Sequence, residues 1–201
     1  LGALEYLTNK ELDDFSQLEE HINKGYRIIT LVKCLDKFDK KNNKIIGFII
    51  LKDNVRKNAK ETLEYFKEQD VLVKIISGDN PKTVSNILRQ LSFDNFDKYI
   101  SGNDLPDDYN KLKEIVNNYT IYGRVTPYQK QTIIKALKDN NTVGMIGDGV
   151  NDILALKEAD CGIALASGIS AARSVSEVVL NESDFSVLPK IVNEGRRGVN
   201  N

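Results

Sequence analysis

One octapeptide, Met145-Ile146-Gly147-Asp148-Gly149-Val150-Asn151-Asp152, restricts the possible folds of this 201-residue chain more than any other segment. An apolar run leads into a Gly-Asp-Gly turn, and Asp148 and Asp152 lie four residues apart. A strand that ends in such a turn and then enters a helix places carboxylates at its carboxyl end, where open α/β sheets bind ligands. Carboxylate oxygens suit Mg²⁺, which shares its remaining positions with waters and a phosphoryl group. The pattern predicts a site for Mg²⁺ and phosphate, although Gly-Asp-Gly alone also occurs in ordinary turns.

Strand-like runs alternate with helical stripes from residue 53 onward. The pattern predicts strands at 71–77, 98–101, 120–123, 142–147, 161–165 and 178–180. Between them it predicts helical stripes at 59–66 and 84–91 and helices at 109–117, 127–138 and 170–176, with a last helix from about residue 185. This alternation indicates βαβ units and therefore an α/β fold with a mainly parallel sheet and helices on both faces.

The first fifty or so residues show a different pattern, typical of the end of a separate unit. They predict a short helix at 12–23 followed by strands at 26–34 and 44–51. The polar and charged segment 36–43 between the strands is typical of a solvated hairpin loop.

Composition excludes several classes of function. With 28 basic and 29 acidic residues the net charge is −1, which indicates neither nucleic acid nor an anionic membrane surface as a partner. The longest apolar run, 45–51, is far too short to cross a bilayer. Cys34 and Cys161 lie in separate apolar runs, so we expect buried, reduced thiols in a cytosolic environment. His21, the only histidine, has no ligand cluster beside it in the sequence.

A second candidate for phosphate binding is Ser77-Gly78-Asp79-Asn80-Pro81, where a predicted strand meets a predicted helix. Asn80 can cap that helix and Pro81 suits its first turn. A phosphate would find free backbone N–H groups and the Ser77 hydroxyl at this position. A capped helix without a ligand would show the same residues.

Lys130 is a third candidate, because it falls in the first turn of a helix that begins at Thr126-Pro127. The helix macrodipole mildly disfavours a cation there, which indicates a functional reason for the lysine. The alternative is a surface lysine without consequence.

These motifs together resemble those of the P-type cation-transporting ATPases. The octapeptide, continued through Ile153-Leu154-Ala155-Leu156-Lys157-Glu158-Ala159-Asp160-Cys161-Gly162-Ile163-Ala164, is similar to their hinge motif. Ser77 stands where the family usually has the threonine of Thr-Gly-Asp. The resemblance implies a haloacid dehalogenase-like Rossmannoid fold with Mg²⁺ held by Asp148 and supported by Asp152. It also implies that Ser77, Gly78, Asp79, Lys130, Asn151 and Asp152 arrange the phosphoryl group.

The resemblance also implies a nucleotide site and a division into domains. Leu1-Gly2-Ala3-Leu4-Glu5 is similar to the Lys-Gly-Ala-Pro-Glu nucleotide motif, with Gly2 retained, and Asp53-Asn54-Val55-Arg56 to the Asp-Pro-Pro-Arg hinge. Asp53, Arg56 and Arg124 are thereby expected near ATP. Residues 1–52 would be the end of the nucleotide-binding domain, 53–56 the hinge, and 57–201 the phosphorylation domain without its first strand.

The nucleophile of the family is an aspartate that begins Asp-Lys-Thr-Gly-Thr, a motif that this sequence lacks. The nearest match, Cys34-Leu35-Asp36-Lys37, continues with Phe38-Asp39 and lies on the wrong side of the nucleotide-binding domain. The chain also begins without methionine, so we expect an excised piece that does not turn over ATP alone. Its carboxyl end, 183–201, resembles the stretch that leads into a membrane helix.

The resulting prediction is a cytoplasmic fragment of an ATP-driven pump in the plasma membrane, with calcium the favoured cargo. Its partners would be ATP, the transported cation through an absent membrane domain, and the rest of the same polypeptide. Two alternatives remain open. One is a soluble phosphatase of the same superfamily, and the other is a nonenzymatic phosphate-binding module.

Overall fold

Two parallel sheets and one antiparallel strand pair form the framework of the computed structural model, which describes residues 1–10, 15–34, 38–52, 55–56, 58–181 and 184–199. The side chains of residues 5 and 199 are outside that description. Asp36, of the nearest match to the nucleophile motif, and Asp53 and Asn54, of the predicted hinge, also lie outside the described residues.

The antiparallel pair belongs to the first part of the chain. Strand β1 (Arg27–Lys33) pairs with β2 (Lys44–Leu51), and Thr30 lies opposite Phe48. Gly2 is bridged to the middle of β1, because its N–H donates to the Thr30 carbonyl at 3.2 Å and its carbonyl accepts from the Thr30 N–H at 2.8 Å. We call β1, β2, α1 (Leu4–Leu7) and α2 (Ser16–Asn23) the hairpin unit.

The later strands are all parallel, as predicted, but they form two sheets of three strands. In the first sheet the order is β3 (Ile75–Ile76), β5 (Ile121–Gly123), β4 (Tyr99–Ser101). In the second it is β6 (Gly144–Gly147), β7 (Cys161–Leu165), β8 (Val178–Leu180). Strands β3 and β6 therefore each pair on one side only within the described part of the chain.

Helices connect these strands. They are α3 (Ala59–Glu68), α4 (Pro81–Gln90), α5 (Tyr109–Ile115), α6 (Pro127–Lys138), α7 (Ile153–Glu158), α8 (Ser170–Val175) and α9 (Leu188–Val199). Single 3-10 turns cover Gly102–Asp104, Val150–Asp152 and Phe185–Val187. In the residues that the structure covers, no helix has the length and apolar character needed to cross a membrane.

Local sequence explains where the two principal helices begin. Asn80 caps α4 by accepting from the Lys82 N–H at 2.9 Å, and Pro81 supplies the first helical residue. Thr126 and Gln129 form a reciprocal capping box at the start of α6. Both sets of residues satisfy backbone N–H groups that a helix start leaves without partners.

The largest departure from the predicted elements is the strand expected at 71–77, of which only Ile75–Ile76 pairs. Its first residues extend beyond the start of β5, and Leu72 is 81% exposed. A strand needs a neighbour for its backbone groups, and the described residues supply none there. The predicted helix at 12–23 is described from Ser16 onward, and the other elements end within about three residues of their predicted bounds.

Helix α6 holds the two parallel sheets together through two adjacent faces. Ile133 and Leu137 belong to the core cluster under the first sheet, whereas Ile134 packs with Met145 under the second. Ile76 of β3 contacts both clusters. The two sheets therefore share one continuous packed layer although their strands do not hydrogen-bond to each other.

Tyr122 anchors the first cluster. The residue is completely buried, and its hydroxyl donates to the Val116 carbonyl. Burial raises the pKa of Tyr122 well above its usual range, so the phenol stays protonated and keeps donating.

The two cysteines occupy different surroundings. Cys34 lies just after β1 and is exposed, so the expectation that both thiols are buried was wrong for it; Cys161, at the start of β7, is half-buried. The reason is that the apolar run ends at the exposed hairpin end of β1, beyond the packed part of the strand.

We expect iodoacetamide to alkylate Cys34 well before Cys161 at neutral pH. The thiolate is the reactive form, and burial raises the pKa of Cys161 and limits access to it. Peptide mass mapping over time would measure both rates, with the chain in urea as the control in which they converge. Equal rates in the folded chain would contradict the described burial.

We expect Gly123→Ala to destabilise the chain by about 1–3 kcal/mol, the usual cost of overpacking. A Cβ at this position would lie 2.5 Å from the Pro81 ring at the start of α4. Gly144→Ala is the matched control, since its Cβ would meet only the Cys161 carbonyl at 3.8 Å. Urea unfolding would measure both, and similar midpoints for the two variants would contradict the close packing of β5 on α4.

Candidate functional site

The turn after β6 is built around the side chain of Asp152. Its Oδ2 accepts from the Gly149 N–H at 3.2 Å, and its Oδ1 lies 2.6 Å from the Lys130 Nζ. A Cβ on Gly147 would lie 2.6 Å from the Asp152 Cβ, so only glycine fits at the end of the strand. Asp152 is thus fixed by contacts on both carboxylate oxygens.

The Lys130–Asp152 ion pair is almost completely buried. Lys130 is 7% exposed and Asp152 is 9% exposed. Each charge would be costly in this position without the other. The pair also explains why α6 tolerates a cation in its first turn, because the opposite charge of Asp152 lies beside it.

Asp148 contrasts with Asp152, because its side chain is exposed. Its backbone carbonyl accepts from the Ile169 N–H at 3.1 Å, and a Cβ on Gly168 would lie 2.9 Å from that carbonyl oxygen. Its carboxylate makes no hydrogen bond or ion pair with the described residues. Asn151 is also exposed on the same turn. These contacts fix the backbone of Asp148 and leave its carboxylate accessible.

The Ser77 loop is held against the end of β5 by backbone hydrogen bonds. The Ser77 N–H donates to the Tyr122 carbonyl at 2.8 Å, and the Ser77 carbonyl accepts from the Val125 N–H at 3.2 Å. The Ser77 Oγ accepts from the Asp79 N–H at 3.0 Å, which leaves the hydroxyl proton for another acceptor. Gly78 is exposed, and a Cβ on it would meet open space.

Arg124 connects that loop with α6. Its N–H donates to the Asp79 carbonyl at 2.9 Å, and its φ of 51° is in the left-handed region, unusual for a residue other than glycine. Such backbone conformations are maintained only by their surroundings and are common at functional sites. Because Arg124 and Val125 precede α6 directly, the Ser77 loop lies at the start of the helix that carries Lys130.

The remaining predicted residues occupy separate places. Gly2 lies against the middle of β1. The Arg56 guanidinium lies 3.7 Å from Asp184, and hydrogen bonds from Ser186 together with Arg56 hold the pKa of Asp184 below its usual range. The structure thus gathers Lys130, Asp152 and the Asp148 turn, ties the Ser77 loop to the same helix, and does not bring Gly2 or Arg56 into contact with them.

Sequence reasoning missed Arg27, the first residue of β1. Its Nη2 lies 3.2 Å from the Asp79 Oδ1, so it links the hairpin unit to the Ser77 loop. A single arginine at the start of a strand carries no motif, and its partner lies far along the chain. Only the docking of the two parts reveals this contact.

The donor set at the turn fits Mg²⁺ only in part. The described residues contain no cluster of three or more His, Cys, Asp or Glu side chains. Asp148 offers free carboxylate oxygens, whereas both oxygens of Asp152 are already engaged. Because Mg²⁺ is commonly held by one or two carboxylates with phosphate and waters, Asp148 suits a site that phosphate completes.

Two cavities, of about 730 and 280 Å³, lie elsewhere. The larger is lined by residues of the hairpin unit and its loops, and the smaller by residues around Val71 and Phe93. None of Ser77, Lys130, Asp148 and Asp152 lines either one. The candidate site is exposed at Gly78, Asp148 and Asn151, whereas its Lys130–Asp152 pair is buried.

Comparison with known proteins identifies the family. A family model described as haloacid dehalogenase-like hydrolase matches residues 2–160. The chain is 41% identical over its whole length to the probable cation-transporting ATPase exp7 of Streptococcus pneumoniae, of which it covers 26%. Over 78% of its length it is 43% identical to the calcium-transporting ATPase CtpE of Mycobacterium bovis, of which it covers 19%.

A solved structure shows the same fold. The crystal structure of a zinc-transporting PIB-type ATPase in its E2.Pi state matches 91% of the chain with a TM-score of 0.61 at 22% identity, and the chain covers 25% of that structure. The chain thus spans about a quarter or less of the length of these proteins. It belongs to the haloacid dehalogenase-like hydrolases, and within them its relatives are the P-type cation-transporting ATPases.

Proposed function

We propose that this chain is the phosphoryl-transfer part of an ATP-driven P-type cation pump, together with the end of its nucleotide-binding domain. The observation that carries the proposal is the buried Lys130–Asp152 pair at the turn after β6, which also presents the exposed side chain of Asp148. A buried cation held next to an accessible acid is the arrangement needed to bind a phosphoryl group and a metal ion side by side.

Each residue of the site has a distinct role in this proposal. Asp148 holds Mg²⁺, which when bound neutralises charge on the phosphoryl oxygens. Lys130 stabilises the negative charge that develops during transfer, and Asp152 fixes the position of the lysine ammonium. In this proposal the Ser77 hydroxyl, the Gly78 N–H and the Asn151 side chain contact the transferred group, and the Asp79 N–H orients the Ser77 hydroxyl by donating to its oxygen.

The nucleophile is proposed to be an aspartate in another part of the polypeptide, in an Asp-Lys-Thr-Gly-Thr motif. Its carboxylate would take the terminal phosphoryl group of ATP and release ADP, forming an aspartyl phosphate. The open edges of β3 and β6 in the described residues support this proposal, because a strand that carries the nucleophile could pair there. The 201 residues alone are then expected to lack ATPase activity.

The proposed division into domains follows the change in architecture. Residues 1–52 hold the antiparallel hairpin unit and residues 57–201 hold the parallel sheets, with 53–56 as the hinge. ATP would bind between the two parts, near Gly2, Asp53, Arg56 and Arg124. The position of Arg27 beside Asp79 supports a nucleotide site at this boundary.

Calcium is the proposed cargo, supported by the 43% identity to a calcium-transporting relative. Transport would occur in membrane helices outside these residues, in the plasma membrane. The chain itself would lie on the cytoplasmic side, where ATP is supplied, and phosphorylation would drive the domain movements that alternate ion access.

Asp148→Asn is expected to reduce Mg²⁺-dependent phosphoenzyme at least a hundredfold in the full-length protein. The change removes the anionic oxygen that holds the metal but preserves the shape of the side chain. Acid-stable label from radioactive ATP would measure the phosphoenzyme. Asp107→Asn, at an exposed position in a separate loop, is the control and should leave the yield unchanged. An unaltered yield in Asp148→Asn would refute the proposed role.

Lys130→Ala is expected to lower the free energy of unfolding of this chain by about 3–5 kcal/mol, because it leaves the Asp152 carboxylate buried without a counter-charge. The double variant Lys130→Met with Asp152→Asn should recover most of this loss, since no uncompensated charge remains. Lys24→Ala, which breaks the exposed pair with Glu20, is the control and should change stability little. Urea unfolding of all three would show whether the burial of the pair has the predicted effect.

A further inference from the structure

The C-terminal end of α2 is capped by side chains of another helix. The carbonyls of Ile22, Asn23 and Lys24 are successive acceptors at this end. They accept from the Asn86 Nδ2 at 2.8 Å, the Arg89 Nη2 at 3.0 Å and the Gln90 Nε2 at 2.8 Å, respectively. All three donors belong to α4, so one helix of the phosphoryl-transfer part satisfies three carbonyls of the hairpin unit.

The chemistry of a helix end makes these contacts favourable. The last carbonyls of a helix have no partners within it and carry the negative end of the macrodipole. The Arg89 guanidinium therefore donates a charge-assisted hydrogen bond to a complementary position. Asn86 is only 8% exposed with α2 in place, so its hydrogen bond to the Ile22 carbonyl is shielded from bulk water.

The backbone that leaves α2 is adapted to close contact with α4. Gly25 has a φ of 75°, and a Cβ on it would lie 3.0 Å from the Ile87 Cγ1 and 3.3 Å from the Ile87 backbone nitrogen. Only glycine meets both the left-handed conformation and the short distance without strain. The turn into β1 is thus shaped by its contact with α4.

The other end of α4 holds a second contact with the hairpin unit. Asp79, in the loop just before α4, forms the ion pair with Arg27 at the start of β1. Both side chains are more than 40% exposed, with values of 44% and 42%, so this pair alone contributes little to docking. The hydrogen bonds at the end of α2 are therefore the stronger attachment.

We propose that Asn86, Arg89 and Gln90 are positioning residues that fix the hairpin unit on α4 and so hold Arg27 beside the Ser77-Gly78-Asp79 loop. The purpose of this positioning rests on the proposed function, because it places the end of the nucleotide-binding domain over the phosphoryl site. The docking itself depends only on the contacts above. We call these three residues the α4 cap set.

The test is a distance measurement between the two parts of the 201-residue chain. Spin labels would be placed on the native exposed Cys34 and on Asn140→Cys, at the exposed end of α6, in a Cys161→Ala background. Pulsed electron spin resonance should give one narrow distance for this chain. In Arg89→Ala with Gln90→Ala the docking constant should fall roughly 30-fold, the effect of two ordinary hydrogen bonds, and the distribution should broaden.

Two further variants control for indirect effects. Asn110→Ala with Lys111→Ala removes the same kinds of side chain from the exposed face of α5 and should leave the distribution narrow. Arg89→Lys keeps a cationic donor at the helix end and should retain most of the docking. If the double variant does not fold, Gln90→Ala alone should still weaken docking about fivefold, the effect of one hydrogen bond.

Two results would overturn the proposal. One is a broad distribution in the labelled chain with the cap set intact, which would mean that the hairpin unit is not docked. The other is a narrow distribution in a folded variant that lacks the caps. Since no step of the measurement involves ATP or phosphoenzyme, its failure would leave the proposed function standing, and a failed phosphoenzyme test would leave the docking result standing.

Discussion

The buried ion pair between Lys130 and Asp152 is the contact on which the arrangement of the site depends. It joins α6, the helix that follows β5 of the first parallel sheet, to the turn after β6 of the second. Neither charge could remain in this position alone, so the two elements must stay together for either to be stable. This one ion pair therefore stabilises the fold and, in the proposed function, also positions the lysine ammonium.

Helix α6 connects the ion pair to the hydrophobic core. Its apolar residues pack under both sheets, and its first turn is fixed by the capping box and by the segment that binds the Ser77 loop. A rigid helix anchored at several points keeps polar groups within the narrow tolerances that phosphoryl transfer requires. Strands β3 and β6 each have one edge without a paired strand in the described part of the chain, which leaves backbone groups of both strands available for further pairing.

The contact between α2 and α4 attaches the hairpin unit to the parallel sheets and their helices, and it differs in kind from the buried Lys130–Asp152 ion pair. Hydrogen bonds at a helix end and an exposed ion pair are directional and individually weak, in contrast to the buried pair and the apolar core. An attachment of this kind favours one orientation and still permits release. Such a balance is compatible with the nucleotide site proposed at this boundary, where ATP would have to enter and ADP to leave.

The sequence by itself determined the elements and the residue types at the site. Capping residues fixed the starts of α4 and α6, and apolar periodicity predicted the parallel strands, because both signals are local. The length of the strand predicted at 71–77 was overestimated. Strand pairing depends on a neighbouring strand, and the periodicity of the sequence does not reveal where that strand ends. The expectation that Cys34 is buried was wrong for a similar reason, because an apolar run does not show which of its residues lie in the packed core.

Only the tertiary structure decided which of these residues meet. The family resemblance implied that Lys130 and Asp152 share one site, but it did not indicate their buried ion pair, in which Asp152 Oδ1 binds Lys130 while Oδ2 accepts from the Gly149 N–H. The pairing of Arg27 with Asp79 and the capping of α2 by α4 had no local signal at all. Long-range contacts of this kind depend on how helices and sheets pack, and that packing is a property of the whole chain rather than of any segment.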